Sequence, residues 1–129
     1  MIRFVSLLVL SMVLAQSLPA SAQDAALGEK TFLKCKACHQ IGEGARNGVG
    51  PNLNGLIGRK SGSVEGYSYS EANKGSGLTW DEDTFRDYIK NPKAKIPGTK
   101  MVFAGIAKDE DIDNLIAYFK TFAADGKKL

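Results

Sequence analysis

Two cysteines and the only histidine of this 129-residue chain lie together in the stretch Lys34-Cys35-Lys36-Ala37-Cys38-His39-Gln40. A disulfide, a metal ion or a covalently attached group at this point would each restrict the path of a small chain. The fate of these three side chains therefore constrains the fold more than any other feature of the sequence.

The N-terminus predicts the compartment in which the cysteines must function. Residues 1–22 combine a basic start at Arg3, an apolar run over 4–14 and the small-residue ending Ala20-Ser21-Ala22, which is the order of a secretory signal peptide. The run is shorter than the roughly 20 apolar residues of a membrane anchor. We predict a signal peptide over 1–22, a single domain over 23–129 and export to the periplasm, an oxidising compartment where free thiols rarely persist.

Helical patterns dominate the rest of the chain. The first predicted helix runs from an N-cap at Asp24 to about Lys36. Gly28 within it is either merely tolerated or allows the close approach of a second helix. A short helix is expected between Ser70 and Gly75, and a longer one from a capping box at Thr79-Trp80-Asp81-Glu82 to Asn91-Pro92.

The last predicted helix has the clearest pattern, with acidic residues in its first turn and Gly126 after its end. Its apolar stripe consists of Ile112, Leu115, Ile116, Phe119 and Phe122. No segment has a convincing strand pattern. Residues 42–66 are rich in glycine, and such a long loop in a small domain is unusual unless it wraps around something. We predict an all-α fold with three main helices, short helices and long loops.

Four chemistries compete for Cys35, Cys38 and His39. A structural zinc site needs four ligands, so carboxylates would have to complete it. A redox-active thiol pair belongs at the start of a helix near a βαβ pattern, whereas this pair follows a predicted helix. A disulfide would close a very short loop, stabilise little and leave His39 without a role. Cys-x-x-Cys-His is the signature of covalent c-type haem attachment, which agrees with export and with the long loops. We therefore predict one covalently bound haem.

The second axial ligand of a six-coordinate haem iron would have to be a methionine, lysine, tyrosine, asparagine or chain terminus. Met1 and Met12 lie in the predicted signal peptide, so Met101 is the only thioether left. Its alternative role is a gap-filling core residue. Its place in the turn-forming loop 96–101 favours ligation, and ligation by His39 and Met101 would favour electron transfer over catalysis.

At this point the chain resembles the class I cytochromes c, in particular the mitochondrial-like soluble cytochromes c of bacteria. The resemblance covers residues 24–126 through KTFLKCKACHQ, VGPNLNGLIGRKSG, GYSYSEANK, GLTWDEDTFRDYIKNPKAKIPGTKMVFAGI and DNLIAYFK. It implies the cytochrome c fold around one haem, with Cys35 and Cys38 as thioether anchors and His39 and Met101 as iron ligands. It also implies that Gly28 and Phe32 pack against Leu115 and Tyr118.

The resemblance further assigns the surroundings of the haem. The Pro51 carbonyl would accept the ring N–H of His39. Arg59, Tyr69 and Trp80 would surround the propionates, and a polar network on the Met101 side would consist of Asn73, Tyr88 and Thr99. The residues alone leave other interpretations open, since Trp80 and Tyr88 are also plausible core aromatics and Arg59 a plausible solvated loop charge.

Five lysines lie close in sequence to the two predicted ligands: Lys34, Lys36, Lys93, Lys95 and Lys100. They suit an ordinary solvated surface, but the resemblance implies a ring around the haem edge that attracts acidic partners. Ala94 and Lys95 stand where mitochondrial members often carry Lys and Tyr, so the partner preference is not carried over whole.

The resemblance implies a monomeric, soluble, periplasmic carrier of single electrons and not an enzyme. Its partners would be membrane-bound redox complexes, with a cytochrome bc type donor and a terminal oxidase or photosynthetic reaction centre as acceptor. The net charge of +3 is too small to indicate a nucleic-acid partner, and no small-molecule substrate is expected. Two rival functions are a thiol-disulfide oxidoreductase and a haem peroxidase or gas sensor from which Met101 dissociates readily.

Overall fold

A computed structural model describes residues 23–129, so the predicted signal peptide over 1–22 lies outside the described residues. Five α-helices follow one another along this part of the chain: α1 (Ala25–Phe32), α2 (Glu71–Lys74), α3 (Glu82–Lys90), α4 (Pro92–Lys95) and α5 (Asp109–Phe119). Only two isolated β-bridges occur among residues 23–129. The all-α prediction is confirmed. Within the described part of the chain, no helix has the length and apolar character needed to cross a membrane.

Helix α1 begins where predicted and ends earlier. The Asp24 carboxylate accepts hydrogen bonds from the amides of Ala26 and Leu27, which caps the helix. The helix stops at Phe32 and not near Lys36, because the next amides bond three residues back, as in Cys35 N–H to Phe32 C=O at 2.8 Å. The two cysteines therefore follow the helix in a series of tight turns.

Helices α1 and α5 cross in close contact. A Cβ atom on Gly28 would lie 1.9 Å from the Asn114 carbonyl oxygen, so only glycine allows this approach. The Asn114 side-chain oxygen also accepts a hydrogen bond from the Asp24 amide at 2.9 Å. Beside the crossing, the ring centroids of Phe32 and Tyr118 lie 5.5 Å apart. Of the two roles considered for Gly28, the structure supports close helix approach.

The core forms around α5. All five residues of its predicted apolar stripe are buried, although Phe122 lies beyond the end of the helix at Phe119, in a β-bridge with Lys128. Ionic contacts join α3 to the same region: Arg86 Nε donates to Asp113 at 2.8 Å, and Lys120 Nζ donates to Glu82 at 2.7 Å. These contacts fix the orientation of α3 relative to α5.

Two further details of the helix predictions are wrong. The N-cap of α3 is Asp81 and not Thr79, because the Asp81 carboxylate accepts from the Thr84 amide at 2.8 Å while Thr79 pairs with Lys60 in a β-bridge. Helix α4 was not predicted, since Asn91-Pro92 indicated only the end of α3. Proline also fits the first position of a helix, and Asn91 caps the new helix through the Ala94 amide. The predicted helix between Ser70 and Gly75 is α2.

Candidate haem-binding site

A cavity of about 330 Å³ lies between the turns after α1, the loop 42–70, α3 and the segment 99–103. This volume is typical of small-molecule and cofactor pockets. Its apolar wall includes Leu53, Leu56, Phe85, Ile89 and Leu115. Every residue predicted as an anchor, ligand or haem contact also lines it: Cys35, Cys38, His39, Pro51, Arg59, Tyr69, Asn73, Trp80, Tyr88, Thr99 and Met101.

A backbone turn closed by the Cys35 carbonyl group brings the two cysteines and the histidine together. The Cys35 carbonyl oxygen accepts hydrogen bonds from the amides of Cys38 (3.1 Å) and His39 (2.9 Å), and all three residues line the cavity. No disulfide joins the two cysteines in the part of the chain that the structure describes. Burial raises the pKa of Cys35 to about 11, so this thiol stays protonated at neutral pH. A thiol oxidoreductase needs a lowered thiol pKa, and this environment therefore disfavours that rival function.

The His39 ring is held in an orientation suitable for a metal ligand. Its Nδ1 lies 2.7 Å from the Pro51 carbonyl oxygen, so Nδ1 carries the proton and Nε2 keeps its lone pair. Burial lowers the pKa of His39, with the Pro51 hydrogen bond acting in the opposite direction and Arg59 adding a smaller decrease. The imidazole is thus neutral at physiological pH, as metal binding requires.

A glycine packs against the same ring. A Cβ atom on Gly50 would lie 2.3 Å from His39 Cε1 and 2.8 Å from Nε2. The Gly50 amide also donates to the Cys38 carbonyl at 2.8 Å, which joins this segment to the cysteine turn. Gly50 therefore lets the backbone support the ring directly, and any side chain here would push the imidazole away from its present position.

Met101 lines the cavity from the segment that follows α4. The Tyr88 hydroxyl of α3 donates to its sulfur at 2.8 Å, and the Met101 amide donates to Thr99 Oγ1 at 3.3 Å. Burial raises the pKa of Tyr88 to about 12, so the phenol keeps its proton and remains a donor. The thioether is thus held at the cavity by one side-chain donor and by its own backbone.

The predicted polar network on this side differs from the observed hydrogen bonds. Among the described residues, no direct hydrogen bond joins Asn73, Tyr88 and Thr99. The Asn73 side-chain oxygen instead accepts from Ser61 Oγ at 2.7 Å, and Ser76 Oγ donates to Ser61 Oγ at 3.1 Å. The three side chains share the cavity wall but depend on different neighbours, because α2, α3 and the loop before Met101 each bring their own partners.

Comparison with known proteins identifies the family. The family model described as cytochrome c matches residues 25–123. The chain belongs to the cytochrome c family. It is 62% identical over 117 residues to the cytochrome c2 of Blastochloris viridis, covering 90% of this chain and 92% of the relative. It is also 64% identical over 104 residues to the cytochrome c-550 of Nitrobacter winogradskyi, covering 81% and 95%.

The solved structure of cytochrome cH from Methylobacterium extorquens is similar to this cytochrome in fold. The TM-score is 0.71 at 52% sequence identity, over 76% of this chain and 98% of the other. The expected class I bacterial cytochrome c is therefore confirmed. The protein carries covalently bound haem c and is an electron carrier, not an enzyme.

The cavity of this cytochrome fits a haem carboxylate at Arg59. The Arg59 Nη1 atom donates to the carbonyls of Asn52 (3.0 Å) and Asn54 (2.9 Å), whereas its buried Nε has no hydrogen-bond partner among the described residues. An unpaired buried guanidinium donor is costly unless an acceptor reaches it. A haem propionate supplies such an acceptor. The nearby Tyr69 hydroxyl accepts from the Val64 amide, which leaves its own proton available to donate.

The five lysines occupy different surroundings. Lys34 and Lys100 line the cavity, and Lys93 is exposed on α4. Lys36 is exposed and borders a second cleft. Lys95 is half-buried and donates to the Asp87 carboxylate at 3.2 Å, so an acidic neighbour partly neutralises it. The structure therefore separates the expected lysine ring into two cavity residues and three residues outside the cavity wall.

Sequence reasoning missed three parts of the site. It did not single out Gly50, because a glycine in a glycine-rich loop gives no signal that it faces a ring. It passed over Asn52 and Asn54, whose backbone carbonyls hold Arg59. It also passed over Tyr67, although the two alternating tyrosines in GYSYS could have indicated a wall of the cavity.

Proposed function

We propose that this cytochrome c is a periplasmic, monomeric, monohaem carrier of single electrons in which Cys35 and Cys38 form the thioether bonds and His39 and Met101 bind the iron. The observation that carries this proposal is the meeting of His39 and Met101 at one cavity. Each is already oriented by a hydrogen bond, His39 by Pro51 and Met101 by Tyr88. Met101 is also the only methionine of residues 23–129.

When bound, the haem supplies a one-electron ferrous and ferric couple. The chain's own contribution would be to hold the iron through His39 and Met101, and with both side chains bound dioxygen, peroxide or a substrate would find no free position on the metal. The Pro51 carbonyl fixes the imidazole and increases its basicity. The Tyr88 hydroxyl donates to the Met101 sulfur, and a thioether ligand together with a histidine raises the reduction potential.

The proposed partners are membrane-bound redox complexes: a donor of the cytochrome bc type and an acceptor that is a terminal oxidase or a photosynthetic reaction centre. The similarity to a cytochrome c2 and a cytochrome c-550 supports electron exchange with such complexes. The positive charges of Lys34 and Lys100 at the cavity support docking of an acidic face there. Neither nucleic acid nor a small-molecule substrate is among the proposed partners. The pattern of residues 1–22 supports export to the periplasm.

Replacing Met101 with alanine tests the ligand assignment. In the purified periplasmic holoprotein, Met101→Ala is expected to lower the reduction potential by on the order of 100 mV. It should also allow rapid carbon monoxide binding to the ferrous form at neutral pH. The control is Leu33→Ala, since Leu33 is 61% exposed and does not line the cavity. Redox titration and carbon monoxide mixing measure the two properties.

Three results would contradict parts of the proposal. An unchanged potential in Met101→Ala would mean that the ligand is misassigned. Rapid carbon monoxide binding by the wild-type ferrous protein would favour the haem peroxidase or gas sensor. Loss of the haem on acid-acetone extraction would separately remove the thioether assignment of Cys35 and Cys38.

A further inference from the structure

Tyr67 connects segments that are distant in sequence. Its hydroxyl donates to the Val49 carbonyl at 2.7 Å, across 18 positions of the chain. Its ring lies edge to face with Tyr69, with centroids 4.7 Å apart, and forms part of the cavity wall. The Tyr67 hydroxyl thus holds this part of the wall to the loop at Val49, beside a second bond from Asn47 Nδ2 to the Glu65 carbonyl at 3.1 Å.

Lys100 contacts the same tyrosine from another segment. Its Nζ lies 4.6 Å from the centroid of the Tyr67 ring, within the range of a cation–π interaction. The same ammonium group donates to the carbonyl oxygen of Ser68. The segment before Met101 is therefore attached to residues 67–68 by two contacts of one lysine.

Two segments meet at Tyr67. One contains residues that support the proposed ligand His39, and the other contains the proposed ligand Met101. Val49 precedes Gly50, which packs against the His39 ring, and Pro51, which accepts its N–H. Lys100 directly precedes Met101. One side chain thereby joins the backbone that supports the histidine to the backbone that presents the methionine.

We propose that Tyr67 is a positioning residue for Met101, acting through Lys100 on one side and the Val49 carbonyl on the other. The contacts of Tyr67 with these two residues, named here the Tyr67 clasp, resist movement of segment 99–103 away from the iron. This inference rests on the proposed ligation by Met101. An ordinary hydrogen bond shifts an equilibrium by roughly threefold to tenfold, which sets the expected size of the effect.

Imidazole binding to the ferric holoprotein measures the clasp directly. Imidazole forms its nitrogen–iron bond only after the sulfur–iron bond of Met101 breaks, so its association constant reports how easily the segment opens. Tyr67→Phe keeps the ring and removes the bond to Val49, and it is expected to raise this constant roughly threefold to tenfold. Tyr67→Leu, which also removes the contact with Lys100, is expected to raise it further.

Two additional variants separate the clasp from general loosening. Tyr118→Phe is the matched control, since Tyr118 lies at the crossing of α1 and α5 and not on the cavity wall. It should leave the constant unchanged. Lys100→Gln should raise the constant in the wild-type background and raise it less in Tyr67→Leu, where only the bond from Lys100 to the Ser68 carbonyl remains to be lost.

The Met101→Ala variant distinguishes failure of this inference from failure of the proposed ligation. If wild type binds imidazole as tightly as Met101→Ala, the ligation proposal fails and the clasp fails with it. If Met101→Ala binds far more tightly while Tyr67→Phe equals wild type, ligation stands and the clasp is overturned. A rise in Tyr67→Phe that Tyr118→Phe matches reflects general loosening and also overturns it.

Discussion

Replacing Gly28 with alanine tests how strongly the fold depends on the crossing of α1 and α5. The new Cβ would lie 1.9 Å from the Asn114 carbonyl oxygen and 2.8 Å from Tyr118 Cβ. Ordinary contact begins near 3.4 Å, so the helices must separate by about 1.5 Å at this point. The obstacle is helix backbone and cannot be avoided by a change of side-chain rotamer.

The cost of that separation is estimated from the residues beside the crossing. Phe32 and Leu115 are at most 1% exposed, and burying each contributes about 1.5–3 kcal/mol. A gap of 0.5–1 Å already loses about a quarter to a half of a dispersion contact, so at the wider gap we take half, and the two side chains together lose roughly 2 kcal/mol. The higher helix propensity of alanine returns about 1 kcal/mol. We expect Gly28→Ala to lower the free energy of unfolding by about 1 kcal/mol.

Guanidinium unfolding of the holoprotein, followed by circular dichroism, measures this change. Glu29→Ala is the control, because it introduces the same residue at the next, exposed position of α1 and is expected to stay within about 0.5 kcal/mol of wild type. A Gly28→Ala protein as stable as wild type would show that the helices separate without cost. The packing argument for Gly28 would then be refuted.

Two other substitutions test charge and capping. Lys34→Glu should slow electron transfer to an acidic membrane partner, and most strongly at low ionic strength. Lys95→Glu should have a smaller effect, because Lys95 is already paired with Asp87. A loss of rate that does not depend on salt in stopped-flow kinetics would argue against electrostatic docking. Asp81→Ala should lower the denaturation midpoint and Asp81→Asn should largely preserve it. The hydrogen bond from the Thr84 amide holds the pKa of Asp81 below its ordinary 3.8. The carboxylate therefore stabilises the fold above pH 3.8, and this contribution disappears as the pH falls through the pKa of the folded state. Equal denaturation midpoints for wild type and Asp81→Ala at neutral pH would contradict the cap.

Local signals in the sequence predicted much of the helical framework. Asp24 and Ser70 are predicted N-caps because a short polar side chain can accept a hydrogen bond from a backbone amide near the start of a helix. Both side chains accept such a bond in the structure. The stripe of α5 was predictable because its period places its members on one side. The start of α3 was not, since Thr79 and Asp81 are both good caps and the β-bridge of Thr79 with Lys60 depends on residues far along the chain.

The residues of the candidate site could be predicted where their chemistry leaves few possible anchors or ligands. They could not be predicted where their role depends only on the path of the folded backbone. One histidine, two cysteines and one methionine in residues 23–129 left few alternatives for the anchors and ligands. The contact of Gly50 with the His39 ring depends on how a long loop folds back, which no local pattern encodes. The same holds for Tyr67, whose bond to Val49 spans the glycine-rich loop.

The crossing of α1 and α5 also affects the order of events during biogenesis. The bond from Asp24 to Asn114 joins residues 90 positions apart, and contacts of this kind form only after a large loop has closed. Helix α1 is among the first parts of the domain to be synthesised, but its packing partner α5 is among the last. The Cys-x-x-Cys-His turn that follows α1 therefore lacks the support of the packed α1 and α5 helices until the whole chain has been synthesised. This interval would leave both thiols accessible to the enzymes that attach haem.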